Sequence, residues 1–260
     1  MTSADNVTFV QSRDNAFVKD LRRLAQDSAA YRKQGRVWLE GDHLCRAALA
    51  RGVRPAIGVY AESFWPLAQE EYRHAAIKSI VIADALWSDV SGLESPARMG
   101  FVLDMPGSAA LVPGEPTVVL DRLQDAGNVG SILRSASAFG FRQIAAIKGT
   151  AALWSAKVLR AGMGAHFGLR LVEGLDATDI DALGLPLLAT SSHGGEFLHA
   201  AALPWPCGWI MGHEGQGVSL ALQERASQLI RIAQPGGEES LNVGAAAAIC
   251  LHASAASAAR

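Results

Sequence analysis

The stretch that decides the fold is Leu120–Gly140, LDRLQDAGNVGSILRSASAFG, in which a short apolar strand leads through a polar turn into a helix that starts around Asn128. The same order of strand, glycine-bearing turn and helix returns in Ile210–Ser219, IMGHEGQGVS, and in Ile230–Ala248, IRIAQPGGEESLNVGAAAA. Open α/β sheets bind ligands at the carboxyl ends of their strands. Three such turns therefore predict one composite pocket.

The segments around these turns alternate in the same way. From residue 116 onward, apolar strand-like runs alternate with helical segments, including one helix through residues 151–167 and another from Ala177, which predicts a mostly parallel sheet with helices on both faces. Residues 1–105 form a smaller predicted α/β domain. It opens with a helix whose apolar residues recur at helical spacing, namely Phe17, Val18, Leu21, Leu24 and Ala25. Residues 106–115, rich in Pro and Gly, are the predicted linker, so the second predicted domain is 116–260.

Charge is unevenly distributed along the chain. The 260 residues carry a net charge of −2, which argues against a generally basic nucleic-acid surface. Residues 1–55, however, hold ten Lys or Arg against six Asp or Glu. This end is either a phosphate-binding surface or an ordinary solvated helix face, and charge does not decide between them. The candidate phosphate-binding residues here are Arg22, Arg23, Arg32 and Lys33.

Several classes of protein are disfavoured by the sequence. Cys45, Cys207 and Cys250 lie far apart without metal-ligand spacing, so we expect reduced core cysteines and no metal site. The sequence contains no P-loop signature and no G-x-S-x-G turn, and Gly162–Gly168 departs from dinucleotide-binding spacing. We see no signal peptide and no apolar run of about 18–20 residues, so we expect a soluble, cytoplasmic protein without a membrane partner.

Taken in series, the three strand–turn–helix stretches resemble the three motifs of the SpoU (TrmH-like) family of RNA ribose 2′-O-methyltransferases, which belongs to the SPOUT superfamily. The resemblance covers about residues 116–255. Residues 12–41 resemble, less specifically, the opening of the L30e-like substrate-binding domain that is often fused to this family. The resemblance implies an N-terminal L30e-like α/β domain and a C-terminal α/β knot, a deep trefoil, with a mostly parallel sheet.

The resemblance also implies a cofactor and partners. S-adenosylmethionine would be held largely by main-chain groups in the second and third motifs. The corresponding positions here are Gly212, Gly217, Ile232 and Leu241, with Thr190 at the end of a neighbouring strand. The implied reaction is methylation of a ribose 2′-oxygen in structured RNA, with 23S rRNA first and tRNA second. Family members are usually homodimers with the active site near the subunit boundary.

The implied catalytic residues are five. We expect Arg134 on the same side of its helix as Asn128. A guanidinium does not readily lose its proton and is a poor general base, so we expect Arg134 to clamp the phosphate beside the target ribose. Asn128 would orient Arg134 or the ribose, or would simply cap its helix. Glu214 would accept backbone N–H groups and shape its turn, or would steer the arginine. Ser240 and Asn242 would complete the polar rim, and either could cap the last helix.

The sequence departs from the family pattern at a few positions, and two other functions stay possible. Gly244 stands where a second serine is common, Ala233–Gln234 where Pro-Met is common, and His213 where asparagine is commoner. Gly236–Gly237 would let the backbone approach a ligand. The alternatives are a non-catalytic RNA-binding or resistance factor that keeps the fold, which should have lost the cofactor turns or Arg134, and an NAD-dependent oxidoreductase.

Overall fold

The computed structural model describes residues 7–93, 95–236 and 240–259. Two compact units make up the chain: Met1–Gly107 with Trp154–Phe167, and Ser108–Leu153 with Gly168–Arg260. The junction after residue 107 lies inside the predicted linker, whereas residues 154–167 were predicted in the second domain and group here with the first unit. The functional division into 1–105, 106–115 and 116–260 stays a prediction.

The first unit is a mixed five-stranded sheet with helices. Its sheet order is β1-β4-β3-β5-β2, with β5 antiparallel to both neighbours and the other pairs parallel. The strands are β1 (Val7–Val10), β2 (Arg36–Glu40), β3 (Ile57–Ala61), β4 (Lys78–Ile82) and β5 (Met99–Asp104). The helices are α1 (Ala16–Gln26), α2 (Ala30–Gln34), α3 (Asp42–Ala50), α4 (Glu70–Ala75) and α5 (Asp84–Val90).

Helix α1 follows its sequence pattern closely. Asn15 caps it by accepting the Phe17 N–H at 2.9 Å. The predicted apolar stripe is buried at four positions, Val18, Leu21, Leu24 and Ala25, and Phe17 is half-buried. Burial of this stripe removes apolar side chains from water and is what holds the helix on its unit.

The second unit is a seven-stranded sheet whose neighbouring strands are all parallel, in the order β10-β12-β9-β11-β6-β7-β8. The predicted mostly parallel α/β fold is confirmed. The strands are β6 (Thr117–Leu120), β7 (Gln143–Ile147), β8 (Arg170–Leu175), β9 (Leu187–Thr190), β10 (Glu196–Phe197), β11 (Gly208–Met211) and β12 (Gln228–Arg231). The helices are α6 (Ala126–Ala138), α7 (Ala156–Gly162, grouped with the first unit), α8 (Leu220–Gln223) and α9 (Val243–Ala258).

Strand order brings the three turns together. Strands β7 and β8 continue the sheet on one side of β6, whereas β11, β9 and β12 lie on its other side. The order in which successive strands are added to the sheet therefore reverses at β6, although all strands run in the same direction. The quoted turns follow β6, β11 and β12, and β9 lies between the last two. Because the strands are parallel, their carboxyl ends share one edge, which is where such sheets bind ligands.

Two predicted helices are shorter than expected. The helix expected through residues 151–167 is α7 followed by a 3₁₀ turn at Ala165–Gly168, because Met163 adopts a left-handed backbone with φ of 50° that ends the helix. The helix expected from Ala177 is a 3₁₀ helix, Ala177–Leu183. The threading that would make a trefoil knot stays a prediction.

The cysteine prediction is confirmed as far as packing goes: Cys45, Cys207 and Cys250 are buried and form no disulfide. Burial raises the pKa of Cys207 to about 11 and of Cys250 to about 12. These thiols are therefore inert core groups. Across residues 7–93, 95–236 and 240–259, no helix combines the length and the apolar content needed to cross a bilayer.

Candidate functional site

A cavity opens where strands β9, β11 and β12 end. Its volume is about 560 Å³, within the range of small-molecule sites. All five positions predicted to bind the cofactor line it, namely Thr190, Gly212, Gly217, Ile232 and Leu241. Glu214, Ser240 and Asn242 line it as well. The second and third turns therefore meet at one cavity, while the binding roles of these residues stay predictions.

One chain of hydrogen bonds joins all three motifs. Asn128 in the first motif donates from Nδ2 to Oε1 of Glu214 in the second, at 3.3 Å. Asn242 in the third motif donates from Nδ2 to Oδ1 of Asn128 at 2.9 Å. Residues separated by 86 and 114 positions thus share one network.

The direction of this network is fixed at both ends. Glu214 as a carboxylate can only accept, so Asn128 must turn its amide nitrogen toward it. The Asn128 oxygen then faces Asn242 and requires a donor there. Asn242 in turn points its own oxygen at the Gly244 and Ala245 N–H groups, at 2.9 and 3.2 Å. If either amide were flipped, two acceptors or two donors would face each other. The hydrogen bonds therefore fix the orientation of both the Asn128 and the Asn242 amide.

The helix caps are now assigned. Asp125, not Asn128, is the N-cap of α6, accepting the Asn128 N–H at 2.7 Å. Asn128 sits inside the first turn, which leaves its side chain available for the network. Asn242 is the N-cap of α9. A Cβ on Gly244 would lie 3.6 Å from both Asn128 Oδ1 and Ser131 Cβ, so α9 begins directly beside the first turn of α6.

Glu214 shapes the turn of the first motif. Its two oxygens accept the backbone N–H groups of Gln124 and Asp125, both at 3.1 Å. Partial burial raises the pKa of this carboxyl, but hydrogen bonds from its own backbone N–H, from those of Gln124 and Asp125 and from the Asn128 side chain outweigh burial and lower it. The carboxylate is therefore ionised near neutral pH and holds the first turn against the second.

Arg134 does not lie where we expected it. Six residues at about 100° each carry it about 120° around α6 from Asn128. It lies on the exposed stripe of α6 with Gly127, Ser131 and Ala138, and it does not line the cavity. Within the described residues its guanidinium makes no hydrogen bond or ion pair, and Asn128 is hydrogen-bonded to Glu214 and Asn242 rather than to Arg134.

The turn of the second motif is held by His213. Its Nδ1 accepts the N–H groups of Gly215 at 3.0 Å and Gln216 at 3.3 Å. An asparagine oxygen sits the same number of bonds from Cα, so His213 performs here the turn-stabilising hydrogen bonding that an asparagine would perform. Gly212 has no room for a side chain, because a Cβ would overlap the backbone of Gly217 and Val218.

Sequence reasoning missed several residues at this edge. Asp121 is almost fully buried, and its Oδ2 accepts the Ser219 N–H at 2.6 Å, linking the end of β6 to the start of α8. Gln234 lines the cavity with a buried Oε1 that accepts no hydrogen bond within the described residues. An aspartate at a strand end was a usable signal, and Gln234 was noted only as a departure from the family pattern, without a role in the site. Gly237, which was expected to approach a ligand, lies outside the described residues.

The candidate RNA-binding residues lie in the first unit and are mostly engaged. Arg22 pairs with Asp89 at 3.1 Å, and Arg23 pairs with Asp20 at 3.4 Å. Arg32 lies over the Tyr31 ring at 5.1 Å, and Lys33 is exposed on the last turn of α2. The Arg22 pair joins α1 to α5, the Arg23 pair lies within α1, and the role of these residues toward RNA stays a prediction. In the described parts of the chain, no three His, Cys, Asp or Glu side chains group as metal ligands.

Fold and site together define a class: an α/β protein with a parallel sheet whose strand ends and following turns enclose a small-molecule cavity. Residues 115–252, more than half of the chain, match the SpoU rRNA Methylase family, and the chain belongs to that family. The family predicted from the three motifs is confirmed.

Known relatives extend over nearly the whole chain. The chain is 29% identical over 247 residues to the 23S rRNA (guanosine(2553)-2′-O)-methyltransferase RlmP of Bacillus subtilis, covering 94% of this chain and 97% of the relative. The AdoMet-bound rRNA methyltransferase of Sinorhizobium meliloti superposes with a TM-score of 0.82 at 26% identity, over 96% of this chain and 97% of that one. The SpoU methyltransferase AviRb of Streptomyces viridochromogenes, in complex with AdoMet, shares the fold with a TM-score of 0.83 at 22% identity, over 93% and 97% of the two chains.

Proposed function

We propose that this protein is an S-adenosylmethionine-dependent methyltransferase that acts on the ribose 2′-oxygen of structured RNA. The observation that carries the proposal is the meeting of the three motifs: Glu214, Asn128 and Asn242 form one network at the rim of a cavity lined by the predicted cofactor positions. Membership of the SpoU rRNA Methylase family supports the same reaction.

The cavity suits the cofactor chemically. Its lining mixes apolar groups such as Ile232, Leu241 and Ala246 with the side-chain-free backbone of Gly212 and Gly217. The unpaired Oε1 of Gln234 offers an acceptor to an amino group. When bound, S-adenosylmethionine supplies an electrophilic methyl group. Thr190, Gly212, Gly217, Ile232 and Leu241 are the residues we propose to hold it.

The protein's own residues then have to position the RNA. Arg134 faces solvent on α6 without a partner among the described residues, so its guanidinium is available to a phosphate. We assign it the clamp on the phosphate beside the target ribose, which orients the hydroxyl and stabilises negative charge growing on its oxygen. Glu214 and Asn242 hold Asn128 and thereby fix the first turn of the helix that carries Arg134. Ser240 lies on the cavity rim and is proposed to contact the ribose.

The substrate, the assembly and the compartment form the finer part of the proposal. Ribosomal RNA of the large subunit is the first candidate, because the RlmP relative is named for 23S rRNA, and tRNA is the second. Arg22, Arg23, Arg32 and Lys33 remain the candidate RNA contacts of the first unit. The protein is proposed to act in the cytoplasm as a homodimer.

The proposal is tested by methyl transfer from labelled S-adenosylmethionine into total RNA of a strain lacking the protein, followed by mapping of the modified ribose. For Arg134→Ala we expect turnover to fall at least about 100-fold, while calorimetry gives a cofactor Kd within about twofold of wild type. The matched control is Arg142→Ala, an exposed arginine of the same unit at the amino end of β7.

Each outcome decides a different point. An Arg134→Ala enzyme with normal turnover rules out the clamp. A wild-type protein that binds S-adenosylmethionine and RNA without transferring a methyl group identifies the non-catalytic alternative. A protein that binds NAD in place of S-adenosylmethionine removes the methyltransferase assignment altogether.

A further inference from the structure

Arg122 has an unusual backbone for its residue type. It is the second residue after the end of β6. Its φ of 57° is a left-handed backbone conformation that residues with a Cβ disfavour. Strained residues persist where the surrounding structure holds them, and they concentrate at functional sites. The contacts that hold Arg122 are therefore informative.

Four hydrogen bonds fix this residue: its carbonyl oxygen accepts from Gln124 Nε2 at 3.1 Å, and three of its own N–H groups donate. Its backbone N–H donates to Thr150 Oγ1 at 3.1 Å, its Nε to Asp121 Oδ1 at 2.9 Å and its Nη1 to Gln216 Oε1 at 3.2 Å. Gly149, at φ of 93°, lies beneath the aliphatic stem, where a Cβ would come within 3.4 Å of Arg122 Cγ. Backbone, stem and head group are all constrained, so the guanidinium is held in one place before any ligand arrives.

That place is the rim of the candidate site. Gln216 lines the cavity, and Asp121 joins the first motif to the second through Ser219. The Asp121 side chain is 1% exposed, whereas the Arg122 side chain is 36% exposed. Asp121 therefore holds the ion pair from inside the protein, and the guanidinium of Arg122 is the part of the pair that faces solvent.

The anchoring leaves most of the guanidinium unused. Of its five N–H groups, one on Nε and one on Nη1 are engaged. Among the described residues nothing accepts from the remaining N–H groups on Nη1 and Nη2. Two such parallel donors match two oxygens of one phosphate. Within the described residues, Arg134 and Arg122 are thus two guanidinium groups of the first motif with free donors.

We propose that Arg122 binds a backbone phosphate of the RNA substrate, separate from the phosphate assigned to Arg134. The inference rests on the proposed function. A purely structural role, in which Arg122 only holds Gln216 and its turn, is the competing explanation and predicts different measurements.

The test measures RNA binding against salt concentration, with unmodified large-subunit rRNA transcript as the first probe and tRNA transcripts as the second. For Arg122→Gln we expect a Kd for RNA raised about 5- to 10-fold and a salt slope reduced by about one, the signature of one lost phosphate contact. Cofactor Kd should stay within about twofold. Arg142→Gln removes an equal charge at the opposite edge of the sheet and should change neither quantity.

Two further variants separate binding from folding. Arg122→Lys keeps a cation beside buried Asp121 and should keep the fold. It loses the paired N–H donors of the planar guanidinium, so KM for RNA should rise about threefold or more with kcat unchanged. Gln216→Leu releases the Arg122 head group and should leave the salt slope as in wild type.

The outcomes are distinguishable from those of the proposed function. If wild type methylates RNA and both Arg122 variants match its KM and salt slope, the phosphate site is wrong and the methyltransferase stands. If Gln216→Leu lowers the salt slope as Arg122→Gln does, the role of Arg122 is structural and the inference is overturned. If Arg122→Gln does not fold, the KM of Arg122→Lys decides alone. A wild type that methylates no RNA removes the proposed function first.

Discussion

At the scale of single residues, Glu214 determines how the site is arranged. It holds two backbone N–H groups of the first motif and the amide of Asn128. A carboxylate serves here because three donors converge on it, and a glutamine would have to turn its own N–H₂ toward one of them. The charge of Glu214 is therefore a structural requirement as well as a candidate catalytic feature.

Glu214→Gln should destabilise the protein in a pH-dependent way. The pKa of Glu214 is lowered in the folded state, so its contribution is present above the ordinary glutamate value and is lost as pH falls through the folded value. Since the side chain is largely exposed, we expect a loss of only about 0.5–1 kcal/mol at pH 7. Urea unfolding of wild type and variant between pH 7 and pH 3 measures it.

The two curves should converge below about pH 4. Glu224→Gln is the matched control, since Glu224 is an exposed carboxylate without a side-chain hydrogen bond among the described residues. A difference for Glu214→Gln that stays constant down to pH 3 contradicts the assignment of an ionised, hydrogen-bonded carboxylate.

Sequence reasoning identified these residues but not their partners. The resemblance to the family pointed to Asn128, Glu214 and Asn242 as candidate site residues, but nothing in a sequence states which amide faces which. Arg134 was misplaced on α6 because a spacing of six residues is not a whole number of turns. The helix also starts two residues earlier than predicted, at Ala126: Asp125 caps α6, and Asn128 is inside it.

At the scale of elements, α9 is both a structural helix and one wall of the site. Asn242 caps it through Oδ1 and links it to α6 through Nδ2. The cap satisfies N–H groups that a helix start otherwise leaves open, while the link fixes where α9 begins relative to Asn128. These two tasks use different atoms of one amide, so they can be separated.

Two substitutions at Asn242 separate them. Asn242→Asp keeps an oxygen for the cap but removes the N–H₂ donor to Asn128, so the free energy of unfolding should stay within about 0.5 kcal/mol of wild type while methyl transfer falls about tenfold or more. Asn242→Ala removes both the cap oxygen and the donor to Asn128, and it should lower the free energy of unfolding by about 1 kcal/mol. Urea unfolding and the labelled-methyl assay, run on the same preparations, give both quantities.

Equal turnover of Asn242→Asp and wild type contradicts a functional role for the Asn128 link. Equal stability of Asn242→Ala and wild type contradicts the cap.

Most elements were predictable, and their exceptions have local causes. Apolar runs of the right length gave the strands of the second unit, and their parallel order followed from the alternation with helices. The strand order did not follow, because hydropathy does not specify which strands become neighbours. Strand β10 has two residues and carries no periodic signal. Met163 interrupts a segment whose composition favours helix, and the flanking Gly162 and Gly164 were a signal for this interruption that the prediction did not use.

At the scale of the whole molecule, the grouping of residues 154–167 with the first unit shows the limit of reading domains from a chain. The division between the two units after residue 107 falls inside the Pro- and Gly-rich stretch, but a segment such as 154–167, which groups with the first unit, has no compositional mark. Buried Glu40 and half-buried Arg160 lie 3.6 Å apart and belong to the same unit, and this pair is one reason for the grouping, since a buried carboxylate requires a partner.

The outer face of α9 is the feature of the whole molecule that the single chain does not explain. Gly244, Ala247, Cys250, Leu251 and Ser254 are buried on one side. The other side exposes Ala245 and Ile249, the latter 42% exposed. His252 is the exposed polar side chain next to Ile249 on this side, and the first two turns of the face are apolar, which is typical of a helix face that another chain covers. We therefore place the proposed homodimer contact on the exposed side of α9, which packs beside the helix that carries Arg134.

Ile249→Glu should dissociate this homodimer. A carboxylate placed without a partner in an apolar contact costs several kcal/mol, so the dimer Kd should rise about 100-fold or more, and light scattering at micromolar concentration should change from twice the chain mass to the chain mass. Ile77→Glu makes the same chemical change at a side chain that is 80% exposed in the first unit and should leave the mass unchanged. If wild type is already monomeric, or if Ile249→Glu stays dimeric, α9 is not the subunit contact. If the monomeric variant also loses methyl transfer while it still binds S-adenosylmethionine, the RNA-positioning part of the site requires the second subunit.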